Sequence, residues 1–342
     1  MKDNEVGIMD QYCQNCSLPA KFPGIHFNSA GICNFCVDYK RAKHQGNKRK
    51  EYQLKFESLI KEYAGKSTYD ALMCYSGGKD STYTLCMLSK QYKLRVLAVS
   101  FDNGFIPDQT LLNIRSVVEN LGVDHIMVKP RFDVLARIFH ESAEKEVYPS
   151  KALERSSAIC TSCMGIIKYS ALRLAIEKNI PFITYGWSPG QAPITSSIFK
   201  NNPPMIKMMQ KTLYDRLYLI VGDAIRPYFL EEWHFTKSDY FPYNINPLAF
   251  SDYNIESIYA NIEQFGWKKP KDTDANSTNC LLNSYANYVH KRKLGYHPYA
   301  FEMANLVREG YIERAEALNR LNQQEDPLII KAVKEKINTK RN

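Results

Sequence analysis

Cys74-Tyr75-Ser76-Gly77-Gly78-Lys79-Asp80-Ser81-Thr82 is the stretch on which the reading of the chain turns. The apolar run Ala71-Leu72-Met73-Cys74 leads into it as a strand. Tyr83-Thr84-Leu85-Cys86-Met87-Leu88 leads out with helical composition. Strand, glycine turn and helix in that order make an anion cradle. Two glycines let the backbone approach an anion closely, successive N–H groups point inward, and the helix N-terminus adds partial positive charge. Ser76, Ser81 and Thr82 supply hydroxyl donors, and Lys79 a cation to neutralise phosphate. Asp80 is placed to hold Mg²⁺ or to cap the helix. The spacing of a Walker A loop is absent.

Working outward, Leu94 to Asp102 is a nearly continuous apolar run suited to a buried parallel strand. Residues 108–121 read as a helix, His125-Ile126-Met127-Val128 as a strand, 167–178 as a helix and Pro181 to Gly186 as a further strand. Strands alternating with helices predict an α/β fold, a parallel doubly wound sheet with right-handed crossovers. Before the first strand, Tyr52, Leu54, Phe56, Leu59, Ile60 and Tyr63 recur at helical spacing. Asp102-Asn103-Gly104 is a turn at a strand's carboxyl end, where ligands of such sheets bind. Asp102 reads equally well as a plain turn former.

Ser76 to Thr82 resembles the SGGxDS loop of the PP-loop ATP pyrophosphatases, the adenine nucleotide alpha-hydrolase-like (HUP-like) superfamily. That resemblance implies cleavage of ATP between the α and β phosphates, leaving AMP on a substrate oxygen. It implies ATP contacts from Ser76, Gly77, Gly78, Lys79, Asp80, Ser81 and Thr82, with Lys79 and Asp80 in catalytic roles. It also implies that Phe101 and Asp102 contact adenine or ribose and that Gly186 borders the nucleotide. Mg²⁺ would fall to Asp80 or Asp102.

The cysteines add two sites. Cys13-x-x-Cys16 and Cys33-x-x-Cys36 form two knuckles separated by sixteen residues. Each presents two thiolates from a tight turn, and four soft ligands close a tetrahedron around Zn²⁺. The segment between them, Lys21 to Asn28, reads as a short hairpin, and a core this small needs such a staple. His26 is a spare ligand. Farther on, Cys160-Thr161-Ser162-Cys163 precedes a helix on the same edge of the sheet as the glycine loop. Thiolates at a helix N-terminus are expected to have lowered pKa values. Two ligands do not close a metal site, and Cys280 is the one cysteine left outside the core-like Cys74 and Cys86. Three cysteines suit a 4Fe–4S cluster with one iron open, as in sulfurtransferases that resemble this pattern. A second zinc site, a redox dithiol and structural thiols stand beside that reading.

The remaining features bound the function. With 45 basic and 36 acidic residues the net charge is +9, which favours anionic partners such as nucleotides, nucleotide-linked sugars or RNA. No window approaches 18 consecutive apolar residues, and the opening Met1-Lys2-Asp3-Asn4-Glu5 is polar, so a cytoplasmic protein without membrane partners is expected. Cysteines there stay reduced. Three regions are expected: a zinc-ribbon-like module over 1–50, a nucleotide domain over 51–230 and a mostly helical substrate or partner region over 231–342. Gly186 to Pro193 reads as a loop over the site. Trp233, Phe235, Tyr240, Phe241, Tyr243 and Phe250 form an aromatic segment suited to a sugar, a base or the core. Lys268, Lys269 and Lys271 lie near phosphate or in a solvated turn. Helices are expected over 281–293, 298–309 and 311–322, with a fraying tail from Lys331.

The order of parts resembles the bacterial N-acetyl sugar amidotransferases of surface-polysaccharide (lipopolysaccharide) pathways. The likeness rests on the two N-terminal knuckles, Ser76 to Thr82, Cys160/Cys163 and Arg308 to Leu318. Asp272-Thr273-Asp274 and Cys280 depart from it. The resemblance implies adenylation of an N-acetyl carbonyl oxygen and displacement of AMP by ammonia from a separate glutaminase subunit, leaving an amidine. A homodimer is compatible with the sequence. The rival reading is iron–sulfur-dependent thiolation of a tRNA base or small heterocycle. A third, a nucleic-acid-binding zinc protein without turnover, sits poorly with an intact loop.

Overall fold

A computed structural model describes residues 12–42, 48–271, 273, 276–277 and 279–340. Asp272 and Asp274 of the departing segment lie outside the described residues. The first elements are α1 (Asn34–Ala42), α2 (Lys48–Tyr63), β1 (Ala71–Cys74), α3 (Lys79–Cys86), β2 (Val96–Phe101), α4 (Asp108–Leu121) and β3 (Asp124–Val128). Next come α5 (Phe132–Glu144), α6 (Ala158–Glu177), β4 (Phe182–Tyr185), β5 (Ile198–Lys200), α7 (Pro203–Val221), α8 (Glu232–Phe235) and β6 (Tyr243–Ile245). The chain ends in α9 (Ile255–Glu263), α10 (Leu282–Leu294), α11 (Ala300–Glu309), α12 (Arg314–Asn322) and α13 (Pro327–Lys340).

The strands form one sheet in the order β3-β2-β1-β4-β6-β5, parallel throughout except for β5 against β6. Alternating side chains of β1 and β2 serve two cores. Ala71, Met73, Val96 and Ala98 face α3, α4 and α9, whereas Leu72, Leu97 and Val99 face α5, α6 and α10. Chain order reverses at β1, with β2 on one side and β4 on the other. The crevice at a sheet's carboxyl edge opens at such a point. The glycine loop leaves β1 there.

Three expectations change. The break drawn at residue 230 falls inside the sheet, because β6 pairs in parallel with β4, Phe182 opposite Tyr243. The tail from Lys331 does not fray: α13 buries Val333 and Ile337 against the core that contains α5. Cys160 and Cys163 do not precede their helix but lie in its first turns, because Ser157 caps α6 by accepting from the Cys160 N–H at 3.1 Å. By length and composition α6 is apolar enough to cross a membrane. It is a core helix instead, burying Ile166, Leu172 and Ile176 against the sheet.

The N-terminal knuckles are not a separate body. Phe22 stacks on Phe301 of α11 with ring centroids 5.6 Å apart, and the module shares one core with β1 and α3. The hairpin expected over Lys21 to Asn28 does not form: that segment is mostly turn, and the isolated bridges join Tyr12 with Pro19 and Phe27 with Cys33.

Candidate active site and cysteine centres

The loop adopts the conformation its glycines allow. Gly77 has φ +77°, and a Cβ there would meet Ile114 at 2.7 Å and Thr110 at 2.8 Å. Its carbonyl accepts a hydrogen bond from the indole of buried Trp267 at 2.9 Å, so the segment expected to be a basic turn supplies a core anchor. Lys268, Lys269 and Lys271, which follow it, are exposed. Ser76 is exposed and shares a 2.9 Å hydrogen bond with Ser81. Thr82 is fully buried and donates to the Gly78 carbonyl at 2.8 Å, with the Tyr75 hydroxyl 3.3 Å away. Its hydroxyl therefore braces the helix start rather than facing a ligand.

Lys79 and Asp80 meet a residue that the sequence does not point to. Lys79 Nζ donates to Asp80 Oδ1 at 2.6 Å and to the Tyr253 hydroxyl at 2.8 Å, and that hydroxyl lies 2.9 Å from Asp80 Oδ1. Burial, then the Asp80 charge, raises Tyr253 well above the ordinary phenol value. It stays neutral and can donate. Glu302 of α11 is the second such residue. It accepts from Ser188 Oγ at 2.6 Å and Gln191 Nε2 at 3.2 Å, in the loop that follows β4. Burial raises its carboxyl above the usual range. The two hydrogen bonds and Lys79 oppose that shift, and Asp80 adds to it.

Gly186 borders the loop's own helix. A Cβ at 186 would stand 2.4 Å from Ser81 Cα and 2.6 Å from Ser81 N. Backbone atoms cannot yield as a side chain can, so a Gly186→Ala variant must displace the phosphate loop. Kinetics with ATP are expected to show a loss of about 100-fold in kcat/KM. Unchanged kinetics would mean that the loop position is immaterial.

Phe101 ends β2, half buried. Asp102 Oδ1 accepts from the Gly104 N–H at 2.8 Å and Oδ2 pairs with Lys129 at 3.0 Å. Both oxygens thus have protein partners, as a turn former's do, and Asp80 is the carboxylate on the loop itself.

The next residue joins two of the later cysteines. Asn103 Nδ2 lies 3.6 Å from Cys163 Sγ and 3.4 Å from Cys280 Sγ. Cys160 Sγ lies 3.9 Å from Asn283 Oδ1, and the Leu281 N–H donates to the Phe105 carbonyl at 2.9 Å. Residues far apart in sequence are thereby gathered at the carboxyl edge. The expected lowering of the thiol pKa values is overturned. Burial pushes Cys160 up to about 12 and raises Cys163 and Cys280, outweighing the helix N-terminus. In the protein alone they are neutral thiols. Only a bound cation would draw them to thiolates.

Cys13, Cys16, Cys33 and Cys36 are fully buried, with sulfurs all within 4.8 Å of one another. Cys13 to Cys36 and Cys16 to Cys33 are both 3.9 Å. A tetrahedron with metal–sulfur bonds of ~2.3 Å has edges of about 3.8 Å, so the four fit one ion. His26 is exposed and unneeded. Arg308 Nη1 lies 3.3 Å from Cys16 Sγ and 3.9 Å from Cys36 Sγ. Arg314 Nε donates to the Cys13 and Cys16 carbonyls, each at 2.9 Å.

Residues 70–163 match the profile of the QueC family, described as a queuosine biosynthesis protein. The matched segment runs from β1 through the glycine loop to the first turns of α6. An uncharacterised protein of Methanocaldococcus jannaschii is 23% identical over 303 residues, covering 89% of this chain and 90% of its own length. A second from the same organism is 26% identical over 179 residues, 43% of this chain and 36% of its own length. Among solved structures, the U34-tRNA thiolase NcsA from Methanococcus maripaludis with its 4Fe–4S cluster aligns at TM-score 0.36 and 18% identity, covering 92% of this chain and 90% of that one. An NMN synthetase from Francisella tularensis aligns at TM-score 0.37 and 13% identity, covering 86% and 96%.

Proposed function

We propose that this enzyme uses ATP to activate a carbonyl oxygen and then replaces that oxygen with sulfur. The carbonyl oxygen attacks the α-phosphorus and pyrophosphate leaves. A sulfur nucleophile then bonds to the carbon, and AMP departs with the oxygen and its electron pair. Lys79 and the loop amides offset charge on the phosphates, and Asp80 would hold an Mg²⁺ that supplies further positive charge there. The observation that carries the sulfur reading is that Cys163 and Cys280 both reach Asn103, with Cys160 in the same first turns of α6, on the edge that bears the loop. Among the described residues these three sulfurs do not all come within 4.8 Å of one another as the N-terminal four do, which suits different irons of one cluster better than a single ion. A cluster held by three cysteines offers an open iron for a sulfur ligand. Zinc is the ion proposed for Cys13, Cys16, Cys33 and Cys36. Under this reading the acceptor is a tRNA base or a small heterocycle.

The order of parts along the chain favours nitrogen instead, with a nucleotide-linked N-acetyl sugar as acceptor and ammonia from a glutaminase subunit. One experiment separates the two. Anaerobically purified enzyme is assayed for AMP and pyrophosphate release with sulfide or ammonia, against bulk tRNA or a nucleotide-linked N-acetyl sugar. Turnover with sulfide is expected, together with about four irons and acid-labile sulfide per chain. Cys280→Ser should remove both the iron and the activity. Turnover with ammonia alone, with no iron even after reconstitution, would replace thiolation by amidotransfer and leave the three cysteines structural.

A further inference from the structure

Arg308 is 9% exposed and forks between two partners. Nη1 faces the sulfurs of Cys16 and Cys36, and Nη2 donates to Asn305 Oδ1. Asn305 Nδ2 in turn donates to the Gly190 carbonyl at 2.8 Å. Gly190 packs so closely that a Cβ there would stand 2.6 Å from the Glu302 carbonyl. Its neighbours Ser188 and Gln191 hold the Glu302 carboxyl, which Asp80 and Lys79 influence in opposite directions. Glu302, Asn305 and Arg308 recur every three residues along α11, which carries them as one rigid face.

We propose that Arg308 and Asn305 are positioning residues through which the four-cysteine metal site sets the loop over the active site. Four thiolates around a divalent ion carry two net negative charges, which a buried guanidinium stabilises. Without the ion nothing holds the four sulfurs on one centre, and the buried Arg308 guanidinium loses its fixed partners at Cys16 and Cys36. That state is costly, so the fork lets go and Asn305 loses its fixed acceptor. The Gly190 turn then loses its tether, and Ser188 and Gln191 no longer hold Glu302 in register with Lys79. The metal site on this view is part of the active site's frame rather than a remote staple. The inference rests on the metal reading of the four cysteines and is independent of whether sulfur or nitrogen is transferred.

The test is hydrogen–deuterium exchange over residues 186–193, with zinc and iron counted on the same samples. In Asn305→Leu, exchange there should rise about ten-fold with metal content unchanged. Arg308→Met should raise exchange equally and speed metal loss to a chelator. Arg308→Lys is the discriminating variant. Its single ammonium keeps a charge on the sulfurs but cannot also hold Asn305, so metal should be retained and the loop loosened. Stripping the ion from the parent protein should reproduce the loosened loop. Unchanged exchange over 186–193 in Asn305→Leu, or in metal-stripped parent protein, would overturn the proposal. If Arg308→Met does not fold, those two measurements still decide it. A parent protein that binds no metal at these cysteines would instead remove the metal reading, while Asn305→Leu would still test the loop tether.

Discussion

Lys79→Ala is expected to lower pyrophosphate release from ATP by about 10²–10³-fold while leaving the melting temperature nearly unchanged. Both halves follow from the site. Lys79 Nζ is held by Asp80 and the Tyr253 hydroxyl, two partners that fix its position before a ligand arrives. A preset cation beside backbone amides stabilises charge developing on the α-phosphate and the departing pyrophosphate without rearrangement. Its removal therefore falls mainly on kcat rather than on folding. The Lys79–Asp80 pair is mostly buried, at 15% and 22% exposed, but Asp80 keeps the hydrogen bond from the Tyr253 hydroxyl at 2.9 Å, so the variant does not strip it of its partner. Lys79→Arg should not restore turnover, because the planar fork cannot occupy a point-charge position between a carboxylate and a phenol. Pyrophosphate release by Lys79→Ala within a few-fold of the parent would take the loop out of the chemistry.

What the sequence makes legible is local, and what it hides is long-range. Ser76 to Thr82 and the alternation from Ala71 to Tyr185 are dictated by neighbouring residues, so the loop, the central strands and α4 are readable. Helix 108–121 agrees to the residue with α4. The knuckles are readable because each CxxC closes on itself. Tyr253, Glu302 and Arg308 are not, since each acts on partners more than a hundred residues away and sits in a stretch with ordinary helix or loop composition. A weak signal existed for Arg308. It opens the Arg308 to Leu318 stretch that carries a family resemblance, and its contact with Cys16 and Cys36 gives that stretch a physical task. The tail reads as charged because α13 exposes most of its surface, and two apolar positions four apart, Val333 and Ile337, suffice to dock it. The misjudged thiols have the same origin. A helix N-terminus is visible in sequence, whereas the depth of burial that opposes it is not.

Removing the ion from Cys13, Cys16, Cys33 and Cys36 should lower the melting temperature by on the order of 10 °C and open the chain to protease at two places at once. A free module would yield only within its own residues. This one is tied to the C-terminal helices: Phe22 stacks on Phe301, Arg308 faces two of the sulfurs, and Arg314 holds the Cys13 and Cys16 carbonyls. Losing the ion leaves four buried thiols packed at the spacing of a tetrahedron with no centre to hold them. Structural zinc in isolated finger peptides contributes about 10–16 kcal/mol, and a module that also packs on a larger core should lose only part of that. Cleavage is therefore expected in both 12–42 and 300–322 after chelation, with β1 to β4 still protected. Cys16→Ser should behave in the same way without a chelator. If chelation removes the ion, by direct metal count, and neither segment becomes more sensitive, the four cysteines do not carry the stability of this end of the molecule.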